Sequence, residues 1–214
     1  MSIKSTNPAT NKVVKTFEEM TEKAVDKAIA QSAATFEEWK KTDYKKRAEI
    51  LHKVAGLLRE KKKDLAEMVT LEMGKLVAQA EGEIKLSAEI FDYYAKHAEG
   101  FLADKILDPV HGEALVRHSP IGVLLGVQPW NFPFYQVARF AAPNIMAGNT
   151  ILLKHASIVP QCGIAIEEIF KQAGAPVGLY TNLLISGKRA TALVSDKRIK
   201  GVSLTGSEAA GASI

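Results

Sequence analysis

The sequence has almost none of the cysteine that cross-linked secreted domains use. Its 214 residues include a single cysteine, Cys162, so the chain cannot form an intrachain disulfide, which is consistent with a reducing compartment. Its first residues, MSIKSTNPATNK, lack the apolar core of a signal peptide, and no apolar run approaches the length of a membrane span. We therefore expect a cytoplasmic protein that does not bind membranes.

The spacing that metal ligands require is also missing. Five histidines are scattered at positions 52, 97, 111, 118 and 155, and the zinc-binding pattern H-E-x-x-H does not occur, so we predict no metal site. Cys162 lies among small and apolar neighbours in the segment PQCGIAIEEIF, outside the loops at the predicted strand ends. This setting favours a buried core residue over a catalytic nucleophile.

Aromatic residues are scarce, at 7%, and the charges are mixed in sign. The 28 lysines and arginines outnumber the 24 aspartates and glutamates and leave a net charge of +4, but they alternate with acids, as in REKKKDLAE at 59–67. That pattern is typical of a solvated helix face, and no aromatic platform accompanies it, so we expect no nucleic-acid partner. Apolar residues make up 47% of the chain, which is enough for a sizeable core.

Helical periodicity dominates the first hundred residues. An apolar stripe crosses residues 21–39, a longer pattern follows Asp43 and ends at Gly74, and a third pattern runs from about 76 to 101. These faces are typical of core packing rather than of ligand sites. We therefore expect residues 1–103 to form a helical layer.

Residues 104–118 change character. The segment DKILDPVHGEALVRHSP has two short apolar stretches around Pro109, His111 and Gly112, which predicts a projecting β-hairpin. An exposed hairpin edge needs a partner and is a candidate contact between subunits. A plain surface loop is the alternative, and the sequence does not choose between them.

From residue 119 onward, apolar runs alternate with helical segments. IGVLLGV, TILLK, YTNLLIS and GVSLTG are four predicted strands, and the segments between them have helical signals. Residues 119–214 therefore predict a doubly wound, Rossmann-like α/β sheet beside the helical layer. Ligands of such sheets bind beyond the carboxyl ends of the strands, so candidate sites are the loops at 128–133, 154–157, 186–188 and 206–211.

Three of these loops contain residue types that suit ligand binding. The segment from Gly206 to Gly211 has G-x-x-x-x-G spacing, but Ala212 stands where a P-loop needs lysine, so an ordinary glycine turn stays open as an alternative. Lys154 can donate to ribose hydroxyls or phosphates, although lysines at strand ends are common without such a role. PWNFP at 129–133 places Asn131 in a turn that two prolines make rigid.

An ordered set of segments points to a known family. PWNFP is followed by GNTILLKHAS, APVGLYTNLLIS and VSLTGS, and in this order and spacing they resemble the aldehyde dehydrogenase superfamily. NPATNKVV and LEMGK near the start fit the same family, so the resemblance covers essentially the whole chain. Within the family, KHAS and LVRHSPIGV are most similar to succinate-semialdehyde dehydrogenases that accept NADP.

The resemblance implies a reaction and a role for the PWNFP turn. Family members oxidise an aldehyde through a cysteine thiohemiacetal, transfer hydride to NAD(P)+ and release the acid. Asn131 matches the asparagine whose side-chain NH2 binds the oxyanion, and a rigid turn suits a donor that must already be aimed. Trp130 is then expected to wall the nicotinamide side of the pocket, and Gln128 and Pro129 to lie along the cofactor.

The resemblance also implies the remaining cofactor contacts. Lys154 matches the family lysine that contacts the adenosine ribose. Many NAD-preferring members carry glutamate three residues later, where this chain has Ser157, so a 2′-phosphate is not repelled and Lys154 and His155 are expected to attract it. We therefore predict NADP or NAD as cofactor, with tolerance of NADP. The other dinucleotide contacts are expected at Gly187, Gly206 and Ser207.

The chain lacks segments that the family uses. The catalytic cysteine and the general-base glutamate normally lie in a second half, in segments resembling GQxC and LELGG, and neither occurs before the sequence ends at Ile214. We interpret the chain as the N-terminal half of an aldehyde dehydrogenase, inactive alone, whose full-length form is a homo-oligomer (dimer or tetramer). The alternative is an inactive nucleotide-binding or structural fragment.

Overall fold

The computed structural model describes residues 2–213, which fold around a parallel sheet of four strands. Two short antiparallel hairpins lie outside this sheet. Along the chain the elements are β1 (Ser2–Asn7), β2 (Lys12–Glu18), α1 (Glu22–Trp39), α2 (Tyr44–Glu60), α3 (Lys62–Met73), α4 (Val77–Phe101), β3 (Lys105–Leu107), β4 (Ala114–Val116), β5 (Val123–Gln128), α5 (Tyr135–Ala147), β6 (Thr150–His155), α6 (Pro160–Gln172), β7 (Tyr180–Asn182), α7 (Gly187–Leu193), β8 (Ile199–Leu204) and α8 (Glu208–Ala212).

The sheet has the strand order β7-β6-β5-β8, and all its strands are parallel. Val123 pairs with Thr150 and Gln128 with His155, so β5 and β6 end side by side. β6 is buried along its whole length, as expected for an apolar run covered on both faces. Because β8 lies on the opposite side of β5 from β6, the strand order reverses at β5 and a crevice is expected beyond its carboxyl end.

Helices cover both faces of this sheet. α2 to α6 pack on one face around Leu124, Ile151 and Leu153, while α1 and α7 pack on the other around Leu125 and Leu152. Alternate side chains of one strand thus enter different layers, and each fully buried leucine or isoleucine contributes about 1.5–3 kcal/mol. The predicted doubly wound α/β fold is confirmed.

The first 18 residues differ from the helical layer that the sequence predicts. β1 and β2 pair antiparallel, with Ser2 opposite Glu18. The turn between them is closed by the Asn7 side chain, which accepts from the Ala9 N–H at 2.9 Å, and by Asn11 at a φ of 55°. Asparagine tolerates both conformations, and the following VVKTF is rich in strand-forming residues, so local turn chemistry overrides the helical neighbourhood.

One further helical expectation needs correction. The pattern between Asp43 and Gly74 forms two helices, α2 and α3, because the chain turns at Lys61, whose ψ is 10°. α5 contains Pro143 and runs unbroken to Ala147, and Asn144 Nδ2 donates to the Phe140 carbonyl at 2.8 Å in the same turn. None of the helices within residues 2–213 is long and apolar enough to cross a membrane.

The predicted hairpin at 104–118 is confirmed. β3 and β4 pair antiparallel over three residues each, and Arg117 closes the base through an ion pair with Asp104. Its apolar side chains are unusually open to solvent, with Ile106 at 83% and Val110 at 92% exposure. Large apolar side chains exposed together make this surface a candidate for contact with other molecules.

Candidate functional site

The candidate loops lie at one edge of the sheet because its four strands are parallel. In strand order, the edge presents the loop after β7 with Gly187, the loop after β6 with Ser157, the loop after β5 with Asn131, and the loop after β8 with Gly206. The last two flank the position at which the strand order reverses. The sheet therefore brings together residues that are up to about eighty positions apart in sequence, at the place where open α/β sheets bind ligands.

Residues 129–133, which we call the proline turn, leave β5 and enter α5. Trp130 and Phe132 are 47% and 45% exposed, and Asn131 is exposed between them, whereas Pro133 is buried. The side-chain hydrogen bonds to this region are made at the backbone of Pro133 and of the two residues after it. They leave the Asn131 carboxamide free, among residues 2–213, to bind a ligand.

A buried carboxylate from a distant helix holds the exit of the proline turn. Glu83 of α4 accepts hydrogen bonds through Oε1 from the backbone N–H groups of Phe134, at 2.8 Å, and Tyr135, at 3.1 Å. These N–H groups begin α5, whose N-cap residue supplies no side-chain bond, and a carboxylate suits the positive end of a helix. Lys75 pairs with Glu83 and also lies 3.7 Å from the centre of the Phe132 ring.

His155 holds the same turn from the other side. It is buried at the end of β6, where its Nδ1 accepts from the Ala156 N–H at 2.9 Å and its Nε2 therefore donates to the Pro133 carbonyl at 2.9 Å. Burial lowers the pKa of His155 to about 4. A neutral ring with both nitrogens occupied would not attract a phosphate, which argues against the expected attraction by His155, and its role as a cofactor contact stays a prediction.

Lys154, next to it, is a buried cation without a counterion. Its side chain is 8% exposed, and no carboxylate compensates its charge within residues 2–213. Burial lowers the pKa of its ammonium group for that reason. An uncompensated buried cation is unfavourable in the isolated chain, so Lys154 is the candidate donor for a ligand at the strand ends.

The remaining predicted cofactor residues lie along the same edge. Gln128 ends β5 and is buried with its Oε1 unpaired among the described side chains, as is Oδ1 of Asn182 at the end of β7. Ser207 caps α8, and its Oγ accepts from the Ala210 N–H at 3.2 Å. Pro129 is half-buried, while Ser157, Gly187 and Gly206 are exposed. Their roles as cofactor contacts stay predictions.

Cavity volume does not identify this edge of the sheet as the candidate site. A cavity of about 10 Å³ lies beside His155 and Ser157, whereas one of about 570 Å³ lies near Tyr44, Arg47 and Pro120. The larger cavity is at the amino ends of the strands, where Pro120 precedes β5. Ligands of parallel sheets bind at the carboxyl ends, and the unpaired polar groups are there, so we assign the site by chemistry rather than by volume.

The other candidate groups have structural roles. Cys162 is fully buried in α6, and burial together with the Glu72 charge raises the pKa of its thiol well above the usual value. The prediction of a core cysteine is confirmed. No group of three or more His, Cys, Asp and Glu side chains that could hold a metal ion occurs in the described part of the chain.

Sequence reasoning missed Glu83 and Lys75, although one signal was available. Glu83 lies on the buried face of α4, between Ala80 and Ser87 at helical spacing. A carboxylate on such a face is unfavourable unless another part of the fold satisfies it. The pattern therefore marks a buried contact, but it does not show which backbone groups Glu83 binds.

The fold and this edge define a Rossmann-like α/β domain. The chain belongs to the aldehyde dehydrogenase family, whose family model matches residues 1–214. The resemblance seen in PWNFP and the three segments after it is thereby confirmed, and so is the similarity to succinate-semialdehyde dehydrogenases, which the following relatives document.

The curated relatives are longer proteins. The succinate-semialdehyde dehydrogenase [NADP(+)] of Deinococcus radiodurans is 44% identical over 208 residues, which are 97% of this chain and 44% of the relative. A probable succinate-semialdehyde dehydrogenase [NADP(+)] of Synechocystis is 45% identical over 213 residues, or 47% of its own length. The chain thus spans about half the length of the curated relatives it matches.

A solved structure has the same fold. The succinic semialdehyde dehydrogenase of Streptococcus pyogenes, in complex with NADP+, superposes with a TM-score of 0.96 at 42% identity. The match covers 99% of this chain and 47% of the other. The Rossmann-like arrangement of helices and parallel strands is therefore shared with an enzyme whose structure contains this dinucleotide.

Proposed function

We propose that the carboxyl edge of the sheet binds NADP or NAD, with Lys154 as the central polar contact. The observation that carries this proposal is the buried Lys154 ammonium, which has no counterion in the described chain. A ribose hydroxyl or a phosphate would accept from it at the ends of β5 and β6. The NADP named for the relatives and for the Streptococcus pyogenes complex supports the choice of ligand.

The same site is expected to accept NADP. Ser157 follows β6 and is exposed, so no carboxylate stands at this position to repel a 2′-phosphate. Since His155 is neutral, the attraction comes from Lys154 alone. Gln128, Pro129, Trp130, Gly187, Gly206 and Ser207 surround the same edge and are the further contacts that we assign to the dinucleotide.

We further propose that the protein carrying this chain oxidises an aldehyde to the acid. The bound dinucleotide supplies the hydride acceptor. Asn131 holds its carboxamide exposed at the strand end, where its NH2 can donate to the oxygen that becomes negatively charged when the carbonyl is attacked; removing such a donor typically lowers kcat by about 10²–10³. The family cysteine and glutamate have no counterpart in this sequence, so we expect the 214 residues alone not to turn over.

Succinate semialdehyde is the substrate that we propose, because the relatives from Deinococcus radiodurans and Synechocystis carry that name. An inactive nucleotide-binding or structural role is the second candidate. The two differ in one observable: both allow NADP+ to bind, but only the first gives reduced cofactor when succinate semialdehyde is added to the protein carrying this chain.

The exposed hairpin supports a homo-oligomer. Ile106 and Val110 on β3 and its turn are open to solvent, and β3 and β4 have no neighbour in the larger sheet. Pairing with a second copy would cover both the apolar side chains and the free backbone groups. We assign the hairpin as a contact between subunits.

Calorimetric titration of the chain with NADP+ and NAD+ tests the cofactor proposal. We expect saturable binding of NADP+, and we expect Ser157→Glu to shift the preference toward NAD+ because its carboxylate repels the 2′-phosphate. Binding of NAD+ about tenfold tighter than NADP+, unchanged in Ser157→Glu, would contradict it.

A further inference from the structure

The proline turn is fixed at one end by two buried charges. Glu83 holds the N–H groups of Phe134 and Tyr135, and Lys75, whose side chain is 7% exposed, pairs with Glu83. The Lys75 ammonium also faces the Phe132 ring. The pair therefore contacts both the backbone after the turn and a side chain within it, one residue from the free carboxamide.

The same end of the turn is also held by an uncharged donor. His155 Nε2 binds the Pro133 carbonyl, and its Nδ1 is itself held by the next backbone N–H of the chain. The peptide unit between Pro133 and Phe134 is thus bound by side chains from two different elements, at its carbonyl by His155 of β6 and at its N–H by Glu83 of α4. Because Pro133 also has a fixed φ, the backbone after Asn131 has little freedom left.

A second buried carboxylate, which also caps a helix, provides a comparison for Glu83. Glu72 of α3 is also buried and binds two backbone N–H groups at the start of α6, those of Gln161 and Cys162, at 3.0 Å each. It is a close chemical equivalent of Glu83, but its two hydrogen bonds go to residues 161 and 162 and not to the proline turn or the two residues after it. If Glu83 only stabilised the fold, substitution of Glu83 and substitution of Glu72 would have the same effects on the proline turn and on activity.

We propose that Glu83, Lys75 and His155 are positioning residues that aim the Asn131 carboxamide. The inference rests on the proposed function only in assigning Asn131 to the reacting carbonyl oxygen. The three side chains act through the backbone and do not touch the substrate. An oxyanion donor is effective when its direction is set before the reaction, and misplacement by about 1 Å can cost on the order of 10² in rate.

Fluorine NMR of the chain labelled with fluorotryptophan tests the positioning directly. The chain has two tryptophans: Trp130 lies in the proline turn, and Trp39 is 2% exposed in the core and serves as an internal reference. Trp130→Phe assigns the two resonances. Glu83→Gln is expected to shift or broaden the Trp130 resonance and to leave that of Trp39 unchanged. The matched control Glu72→Gln is expected to leave both resonances unchanged.

A second variant and a kinetic readout accompany this comparison. Lys75→Gln keeps a donor beside Glu83 but removes the charge, and it is expected to move the Trp130 resonance less than Glu83→Gln does. In the protein carrying this chain, Glu83→Gln should lower kcat by about tenfold to a hundredfold while KM for the aldehyde changes by less than about threefold. Glu72→Gln should leave kcat unchanged.

The outcomes distinguish a failure of the proposed function from a failure of the positioning role. If the unsubstituted protein does not oxidise an aldehyde, the proposed function fails, and the Trp130 resonance still decides the positioning. If the folded Glu83 or Lys75 variant leaves the Trp130 resonance unchanged, or if Glu72→Gln moves it equally, the positioning role is contradicted. An unchanged kcat in a folded Glu83→Gln protein that oxidises aldehyde contradicts it as well.

Discussion

Lys154 shows how one residue can be unfavourable for the fold and useful for a site. Its ammonium is buried beside the neutral His155, and no carboxylate of the described chain offsets the charge. Cores rarely retain such a group without a partner, because desolvation of a cation is costly. The residue therefore gives the strongest local indication of an external acceptor.

Substitution of this lysine should separate binding from stability. Lys154→Met is expected to weaken NADP+ binding by about tenfold or more, because a charge-assisted hydrogen bond contributes about 1.5–3 kcal/mol. The same change should leave the free energy of unfolding unchanged or increase it, since an uncompensated buried charge is removed. Calorimetry and urea unfolding measure the two effects, with the exposed Lys53→Met as control; equal binding in both variants would contradict the assignment.

His155 gives the chain a defined dependence on pH. Burial lowers its pKa from 6.5 to about 4. Between these values the unfolded chain takes up a proton that the folded chain does not, so the stabilising contribution is complete above pH 6.5 and is lost as the pH falls toward 4. The loss is about 3 kcal/mol, at about 1.4 kcal/mol for each pKa unit.

The measurement compares urea unfolding of two variants at several pH values. His155→Gln should reduce the fall in unfolding free energy between pH 7 and pH 4 by about 3 kcal/mol. His111→Gln, on the exposed hairpin turn, should keep the fall seen in the unsubstituted chain. The same dependence in both variants would show that His155 is not neutral in the fold.

At the level of elements, the close contact between β5 and α5 limits what can stand in the strand. A Cβ added to Gly126 would lie 2.5 Å from the Phe140 ring, whereas one added to Gly56 in α2 would meet nothing within 4 Å. The absence of a side chain thus lets α5 rest on β5 directly behind the proline turn. Gly56 has no such packing reason.

Alanine at these two glycines should have opposite effects on stability. Gly126→Ala is expected to lower the free energy of unfolding by about 1–3 kcal/mol through overpacking. Gly56→Ala should raise it by about 0.5–1 kcal/mol, because alanine is the better residue in an exposed helix. Chemical unfolding at pH 7 measures both; a stabilising Gly126→Ala would mean that Phe140 moves without cost.

Elements were predictable from sequence where their signals were local. The strand at 123–128 followed from an apolar run, and the helices between the strands of the sheet followed from the helical signals of those segments. The β1–β2 hairpin was missed because the helical pattern after it dominated the interpretation. The capping of α5 by Glu83 was missed for a different reason: the carboxylate and the helix start are 51 residues apart, and only the packed fold brings them together.

The same distinction between local signals and contacts made only in the packed fold applies to the candidate site. The candidate loops could be identified because parallel strands end at one edge, and Asn131 because of its family motif. The charge state of His155 could not, since its burial and its bond to Pro133 depend on how β6 packs against the proline turn. The sequence suggested that His155 attracts a phosphate as a cation, whereas its tertiary contacts make the imidazole a neutral donor.

For the whole molecule, we propose that the hairpin is the contact between copies. Ile106→Asp places a charge on the apolar surface of β3 and is expected to reduce the oligomer to smaller species, because burying an unpaired carboxylate is unfavourable. Val13→Asp is the matched control, since Val13 is 52% exposed on the other hairpin. Sedimentation of the protein carrying this chain measures the effect; an oligomer unchanged by Ile106→Asp would exclude the hairpin as the contact.

An amide NMR titration of the chain with NADP+ tests the central claim most directly. We predict saturable shifts at residues 128–131, 154–157, 186–188 and 205–207, with binding weakened about tenfold or more in Lys154→Met. The cavity near Tyr44 and Arg47 should stay unchanged. The absence of binding, or shifts concentrated at that cavity, would contradict the account.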